Sequence, residues 1–188
     1  MSAEYRGMGV AFQFPENWEL EQEPSMGRGR GVTVNAPSGG FWSLAVYPRG
    51  TDPKRLADAA VAVFRQEYRE VETEAIDETI EGHSLTGYDV DFFCLDILIR
   101  ATIRCFGNDD SVYVILSQGE DREHRTCGAV FEAITTSLLR RLRSLRADLG
   151  EIFPDRDDRL KQRQFESALD APPAEEISPA DWADLTQN

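Results

Sequence analysis

The sequence has few residues suited to acid–base, nucleophilic or metal chemistry, and they are far apart. Its two histidines, His83 and His124, lie in different predicted elements, and neither belongs to an HxH, HExxH or HxxxH pattern. His124 and Cys127 are three residues apart and could touch on one helix face. The apolar periodicity there places Cys127 inward and His124 near the rim. We therefore expect neither a histidine metal site nor a cysteine–histidine dyad.

The three cysteines are predicted to be structural. The chain has an odd number of cysteines at irregular spacing: Cys94, Cys105 and Cys127. This pattern provides neither a disulfide framework nor a CxxC metal pair. All three lie in segments with an apolar pattern, which predicts buried free thiols.

Carboxylates are plentiful, but their arrangement is more typical of ion pairs than of catalysis. Asp89 and Asp91 project from one face of a predicted strand, at a spacing that could suit a cation. Arg100 and Arg104 lie on the next predicted strand, and we expect them to neutralise the two aspartates. No metal site is therefore predicted.

Motifs for nucleophilic and phosphate chemistry do not match. Residues 116–119 depart from the GxSxG pattern of serine hydrolases. The glycine–arginine run at 27–31 lacks the Gly-Lys-Ser/Thr ending of a phosphate loop and precedes a strand. Of the 20 basic residues only Lys54 and Lys161 are lysines, which leaves almost no candidate for Schiff-base chemistry. We predict a protein that is not an enzyme and that uses no cofactor.

The net charge narrows the range of partners. The 188 residues include 34 acidic and 20 basic side chains, which gives a net charge of −14 and a pI of about 4.5. Nucleic acids and anionic membranes both require a dense basic face, so neither is expected as a partner. The N-terminus has no charged-then-apolar signal region, and no apolar run approaches the ~20 residues that span a bilayer. We expect a cytoplasmic protein with neutral or basic partners.

The elements that position these side chains begin with β periodicity. Residues 8–48 have the pattern of a run of short strands separated by glycine- and proline-rich turns. Asp52 can then cap a helix that has Pro53 in its first turn, and an apolar stripe predicts this helix over 52–69.

A second group of strands follows this helix. The alternation of apolar and polar residues predicts strands at 73–80, 82–94, 97–106 and 111–118. If Leu95 and Asp96 form a two-residue hairpin loop, Asp91 lies opposite Arg100 and Val90 opposite Ala101.

An apolar stripe predicts a final helix over 122–147. Counted from a cap at Asp121 to Leu149, the last apolar residue of the stripe, the pattern spans about 28 residues, well beyond the ~11–12 of an ordinary helix. Its last turns should therefore extend past the sheet and pack on something else. Leu142, Leu145 and Leu149 lie in these turns and are a candidate surface for a homodimer.

The composition changes at residue 150. Residues 150–188 contain ten acidic and four basic side chains (net −6), whereas the first 149 contain 24 and 16 (net −8). We interpret 150–188 as an acidic tail or linker with short helical segments. Trp182 and Leu185 share one face of a predicted terminal helix and are candidates for partner binding, with a tail tip that packs back on the domain as the alternative.

The basic residues offer further candidates for partner binding. Arg28 and Arg30 in the glycine-rich turn could contact an acidic partner, although a mobile hairpin tip is the default interpretation. Arg140 and Arg141 belong to a cluster near the end of the last helix, where positive charge complements the helix dipole. They could instead hold the protein's own acidic tail.

One sequence motif resembles a known superfamily. The segment Phe12-Gln-Phe-Pro-Glu-Asn-Trp18, followed by strands, a helix, a meander of long strands and a last helix, resembles the PsbP-like superfamily. Residues 40–46 and 111–116 extend the resemblance over about residues 8–140. This superfamily includes Ran-binding Mog import factors, the PsbP proteins of photosystem II and many bacterial proteins of unknown role. The resemblance implies an antiparallel sheet between helices and action through protein binding; some bacterial relatives of the Eag type are secretion chaperones.

These observations predict an α+β fold with a central antiparallel sheet of about seven strands sandwiched by helices. Residues 1–149 form the predicted domain and 150–188 the tail. The predicted function is a non-catalytic protein-binding module, chaperone- or adaptor-like. The alternative is a small-ligand binding protein or an enzyme with a pocket between sheet and helix.

Overall fold

The computed structural model describes residues 1–26 and 29–152, with side chains described outside 23–29 and 145–152. This part of the chain contains nine strands and two helices. The strands are β1 (Ser2–Gly7), β2 (Val10–Pro15), β3 (Glu19–Met26), β4 (Gly29–Asn35), β5 (Phe41–Pro48), β6 (Val71–Ile80), β7 (His83–Cys94), β8 (Ile97–Gly107) and β9 (Ser111–Glu120). The helices are α1 (Pro53–Glu67) and α2 (Asp121–Ile152).

Seven strands form one antiparallel sheet in the order β3-β4-β5-β9-β8-β7-β6. The predicted α+β fold with a central seven-stranded sheet is therefore confirmed. Strands β1 and β2 form a separate antiparallel hairpin. Strand β1 was not predicted from the sequence, because only Tyr5 in this polar segment is buried and no apolar alternation marks the strand.

Strand β5 lies near the centre of the sheet and is buried on both faces, as its sequence indicates. Phe41 and Ala45 face a core that includes α1, whereas Trp42 and Leu44 face a core that includes α2. The β1–β2 hairpin packs into this second core through Tyr5 and other apolar side chains. We call the two faces of the sheet the α1 side and the α2 side.

Helix α1 follows the predicted bounds closely. The Asp52 side chain accepts a hydrogen bond from the backbone N–H of Lys54 at 2.9 Å, and Pro53 occupies the first turn. The buried residues of the helix are Leu56, Ala57, Ala60, Val61, Val63 and Phe64. The helix ends before Tyr68, whose ring packs 4.2 Å from that of Phe92 on β7.

Helix α2 starts and ends outside its predicted range of 122–147, at Asp121 and Ile152. Phe131, Ile134 and Leu138 bury its apolar stripe against the sheet and the β1–β2 hairpin. The buried indole N–H of Trp42 donates to Thr135 Oγ1 at 3.0 Å, so the polar atom that this large ring brings into the core has a partner. Among the described residues, no helix is long and apolar enough to cross a membrane.

Candidate protein-binding site

The most exposed large apolar side chains of the described residues, apart from Met1, gather at the β7–β8 turn. Phe93 is 54% exposed, Leu95 91% and Ile97 43%. We call these three residues the apolar tip. Single exposed apolar residues are ordinary on protein surfaces, whereas apolar patches of more than about a few hundred Å² are typical of interaction sites.

The two longest strands of the sheet carry the apolar tip. Predicted and observed registers agree: Asp91 pairs with Arg100, and Val90 with Ala101. Alternation along β7 turns Phe92 into the α1-side core and places Phe93 on the α2 side, where α2 does not cover it.

The turn that displays Leu95 has an unusual backbone for its sequence. Leu95 has φ 49° and Asp96 has φ 63°, so both residues adopt the left-handed conformation of a type I′ hairpin turn. Asn-Gly is the favoured sequence in this turn, because a Cβ in the left-handed region crowds the backbone. For leucine the conformation costs roughly 1–2 kcal/mol.

Two other hairpin turns of the chain provide an internal comparison. Met8–Gly9 joins β1 to β2, and Glu81–Gly82 joins β6 to β7; all four of these residues also have positive φ. In each of these turns the second residue is glycine, which tolerates the conformation without a steric penalty. The β7–β8 turn has no glycine: Asp96, whose short polar side chain tolerates this conformation comparatively well, takes the second position, and Leu95 bears the larger cost.

The first residues of the three turns also differ in their side-chain contacts. Met8 packs against the α2-side core, and Glu81 forms ion pairs with Arg140 and Arg143 at 2.9 and 3.0 Å. Leu95 projects into solvent and has no comparable burial. Neither the turn nor the core therefore accounts for a leucine at this position.

Carboxylates continue the face of Phe93 along the sheet, away from the β7–β8 turn. Glu72 on β6 lies directly opposite Asp91 on β7, and Glu74 lies opposite Asp89. We call these four residues the carboxylate ladder. Like charges directly opposite each other destabilise a sheet, so this arrangement costs folding free energy.

Two arginines on β8 neutralise part of the carboxylate ladder, as expected from the sequence. Arg100 Nε lies 3.5 Å from Asp91 Oδ1, and Arg104 Nη2 lies 2.7 Å from Asp89 Oδ1. Arg104 also bonds Glu78 and donates to two backbone carbonyls, so its side chain is only 14% exposed.

Both arginines also pair with carboxylates outside the ladder: Arg100 with Asp121 at 3.0 Å, and Arg104 with Glu78. No described basic side chain lies within ion-pair distance of Glu72 or Glu74. Within the described residues, no group of acidic, histidine and cysteine side chains is arranged to hold a metal ion.

The predicted arginine candidates on α2 have partners inside the domain. Arg140 pairs with Glu81 at 2.9 Å, and Arg141 pairs with Glu4 on β1 at 2.8 Å. The hydrogen bond from Arg140 lowers the pKa of Glu81, and that from Arg6 lowers the pKa of Glu4. The two arginines therefore link α2 to the β6–β7 turn and to the N-terminal hairpin through ion pairs. Their role in partner binding stays a prediction.

The other predicted candidates are distributed differently. Arg30 is exposed on β4, whereas Arg28, Trp182 and Leu185 lie outside the described residues. Leu142 is buried at 7% exposure in the α2-side core, so it belongs to the domain interior and does not overhang the sheet. The side chains of Leu145 and Leu149 are also outside the described set, and the homodimer stays a prediction.

The residues with possible chemistry are dispersed in the structure. His83 Nε2 is 3.2 Å from the carbonyl oxygen of Leu139 on α2, about four helical turns from His124. Burial raises the pKa of the Cys105 thiol far above its usual range, which disfavours the reactive thiolate.

All three cysteines are free, but only Cys105 is buried as predicted. Cys94 and Cys127 are partly exposed: Cys94 is beside the apolar tip, and Cys127 Sγ lies 3.6 Å from Ser38 Oγ at the rim of α2. The apolar pattern around both residues therefore overstated their burial.

An open cavity of about 450 Å³ lies where β6, β7 and β8 meet the start of α1. Its lining residues are Pro53, Asp77, Glu78, Thr79, Ser84, Leu85, Thr86, Cys105, Phe106 and Gly107. This location corresponds to the predicted alternative of a pocket between sheet and helix. Its polar lining consists of the hydroxyl groups of Thr79, Ser84 and Thr86 and the carboxylates of Asp77 and Glu78, and neither histidine contributes to it.

The Leu95–Asp96 loop was predicted from the sequence, but the apolar tip was not recognised as a site. The available signal was the residue type itself, because leucine occupies a hairpin position where asparagine or glycine is favoured. Phe93 and Ile97 flank this loop and add exposed apolar area on the two strands.

No family model matches the sequence, and no curated protein is significantly similar to it. Solved structures do match. CyanoP, the cyanobacterial PsbP of Synechocystis, aligns with a TM-score of 0.52 and 15% identity over 72% of this chain and 90% of its own. PA94 of Pseudomonas aeruginosa, a protein of unknown function, has a TM-score of 0.43 and 10% identity over 73% and 95% of the two chains. LpqN of Mycobacterium tuberculosis, involved in cell envelope biogenesis, has a TM-score of 0.40 and 13% identity over 71% of this chain and 87% of its own.

The CyanoP alignment identifies the architecture of this chain. The seven-stranded antiparallel sheet between two helices is an α+β sandwich. More particularly, it is the PsbP-like fold that the resemblance implies.

Proposed function

We propose that this chain is a non-catalytic protein-binding module, chaperone- or adaptor-like, and that the apolar tip is its main contact with the partner. The observation that carries the proposal is Leu95, a 91% exposed leucine in the left-handed conformation. Leu95 lowers the stability of the turn and packs on no core, and a contact with another molecule would give this side chain a role.

The dimensions of the apolar tip suit an anchor for a larger interface. Phe93, Leu95 and Ile97 together expose a few hundred Å² of apolar surface. A stable interface buries about 800 Å² on each partner, and a few apolar residues near its centre supply most of the binding free energy. The tip would enter an apolar pocket of the partner, and the polar strands beside it would form the rim.

The arrangement of titratable groups supports binding over catalysis. His83 contacts α2 at Leu139, His124 lies on α2 about four helical turns away, and burial raises the pKa of the Cys105 thiol. The cavity beside α1 is open and has walls of mixed polarity, whereas small-molecule sites enclose most of the surface of their ligand. These features favour protein binding over the small-ligand and enzyme alternatives.

Site-specific photo-crosslinking tests the proposal in the full-length protein. A photoreactive benzoylphenylalanine at position 95 is compared with one at Asp110, which is exposed in the turn between β8 and β9. We expect a discrete adduct at position 95 only, and unmodified protein should compete it away. The Leu95→Asn variant should fail to compete. Identical adducts at both positions, or competition by the variant equal to that of wild type, would contradict the proposal.

A further inference from the structure

We infer that the partner presents an apolar pocket bordered by lysine or arginine side chains, and that the carboxylate ladder binds this basic border. The inference rests on the proposed function, because it assigns the partner of the same tip. It is supported by the position, charge and register of the four ladder residues beside Phe93.

Phe93 joins the apolar tip to the carboxylate ladder on the α2 side, whereas Ile97 shares the α1 side of β8 with Ile99 and Ala101. Asp89, Asp91 and Phe93 alternate on β7 without a break in register, so all three lie on the α2 side of the sheet. Asp91 is two residues from Phe93, or about 7 Å along the strand, and Asp89 is about 13 Å away. Glu72 and Glu74 widen the ladder on the edge strand β6.

The ladder keeps an excess of negative charge after its internal ion pairs are formed. The Arg100 guanidinium forms ion pairs with both Asp91 and Asp121. The Arg104 guanidinium likewise pairs with both Asp89 and Glu78, so each positive charge is shared by two carboxylates. Glu72 and Glu74 are exposed and have no described cation beside them. Facing carboxylates repel each other, and a basic partner would relieve this repulsion.

A basic partner also fits better than the other occupants of the surface. A second copy of this chain has the same net charge of −14, and a two-fold contact through this face would set one carboxylate ladder against the other. Nucleic acid and anionic lipid would be repelled in the same way. A neutral apolar pocket would use the tip but leave Glu72 and Glu74 without a partner.

Selection from a random peptide library tests the inference and requires no named partner. Phage displaying 12-residue peptides are selected on full-length wild-type protein and depleted on the Leu95→Asn variant. We expect tip-dependent peptides that combine an aromatic or aliphatic anchor with two or more lysines or arginines. A synthetic selected peptide should bind more weakly as the salt concentration rises, because added ions screen charge attraction.

Charge variants locate the effect on the ladder. E72Q/E74Q should raise the peptide Kd about fivefold, as expected when exposed ion pairs are lost, and should flatten the salt dependence. The matched control is E19Q/E21Q, which removes two exposed glutamates at the same spacing from β3, the opposite edge strand. This control should leave the Kd unchanged.

The outcomes separate the inference from the proposed function. Tip-dependent peptides without enrichment of basic residues would overturn the basic border and leave the protein-binding function intact. An equal loss of affinity in the two charge variants would also overturn it, since a general charge effect would then explain the binding. A selection that yields no tip-dependent peptide would count against both.

Discussion

Substitution of Leu95 by asparagine should make the protein more stable while removing its binding. Leucine in the left-handed conformation costs roughly 1–2 kcal/mol, and asparagine tolerates this conformation much better. Leu95 is 91% exposed, so its removal sacrifices almost no buried apolar area. We expect the free energy of unfolding to rise by about 1 kcal/mol and Tm by about 2–4 °C.

The Leu95→Ala variant is the matched control for this prediction. Alanine also carries a Cβ, so it keeps the backbone cost of the left-handed turn while removing the apolar side chain. Its stability should stay close to that of wild type, whereas both variants should lose partner binding.

Urea denaturation followed by circular dichroism measures the stability changes, and competition in the crosslinking experiment measures binding. If Leu95→Asn lowers stability, or if the alanine variant is destabilised by more than about 1 kcal/mol, the side chain contributes to folding and the strain argument is wrong. A stabilised asparagine variant that still competes fully would instead remove Leu95 from the binding site.

Three further predictions concern the stability and reactivity of the domain. Gly87→Ala should lower the free energy of unfolding by about 2 kcal/mol or more in urea denaturation, because the new Cβ would lie 1.8 Å from the Ile103 carbonyl oxygen. Glu81→Gln should lower stability at neutral pH; the deficit should shrink as pH falls through the depressed pKa of Glu81, because protonation removes the benefit of the bond from Arg140 in wild type. The Cys105 thiol should react with a thiol reagent only after unfolding, as a chromogenic titration can measure.

Each of these predictions has a control inside the same chain. The control for Gly87→Ala is Gly119→Ala on β9, where the nearest atom to the new Cβ is Gly40 Cα at 3.6 Å. An equal loss of unfolding free energy in the two variants would refute the clash at Gly87. A stability deficit of the Glu81 variant that stays constant down to acidic pH would contradict the linkage. Cys94 and Cys127 are partly exposed and should react in the native state, whereas equal reactivity of all three thiols would contradict the burial of Cys105.

The sheet could be predicted from the sequence wherever its strands have a regular pattern. The register of Asp91 opposite Arg100 followed from a two-residue loop and one charge match, and the structure confirms it. Strand β1 had no such signal, because it depends on β2 and α2 for its burial. Its position is a property of tertiary packing and is not encoded in local periodicity.

The candidate site could be predicted less well because it depends on exposure. Apolar residues such as Phe93 and Ile97 follow the same alternation as core residues, so the sequence cannot distinguish an uncovered strand end from a covered one. The arginines of α2 were the more prominent feature in sequence. The carboxylates that bind them, Glu4 and Glu81, are distant in the chain and were not foreseen.

The long-range contacts of the N-terminal hairpin have a consequence for synthesis on the ribosome. Among the residues that the structure describes, the α1-side core draws its buried side chains from positions 41–116, so this core can form before α2 has emerged. The α2-side core requires residues up to Leu142, and Gln13 bonds Ser137 across 124 positions. During translation the apolar α2 side of the sheet therefore stays uncovered until α2 has been synthesised. This interval exposes Phe12, Trp42 and their neighbours to aggregation or to a holding chaperone.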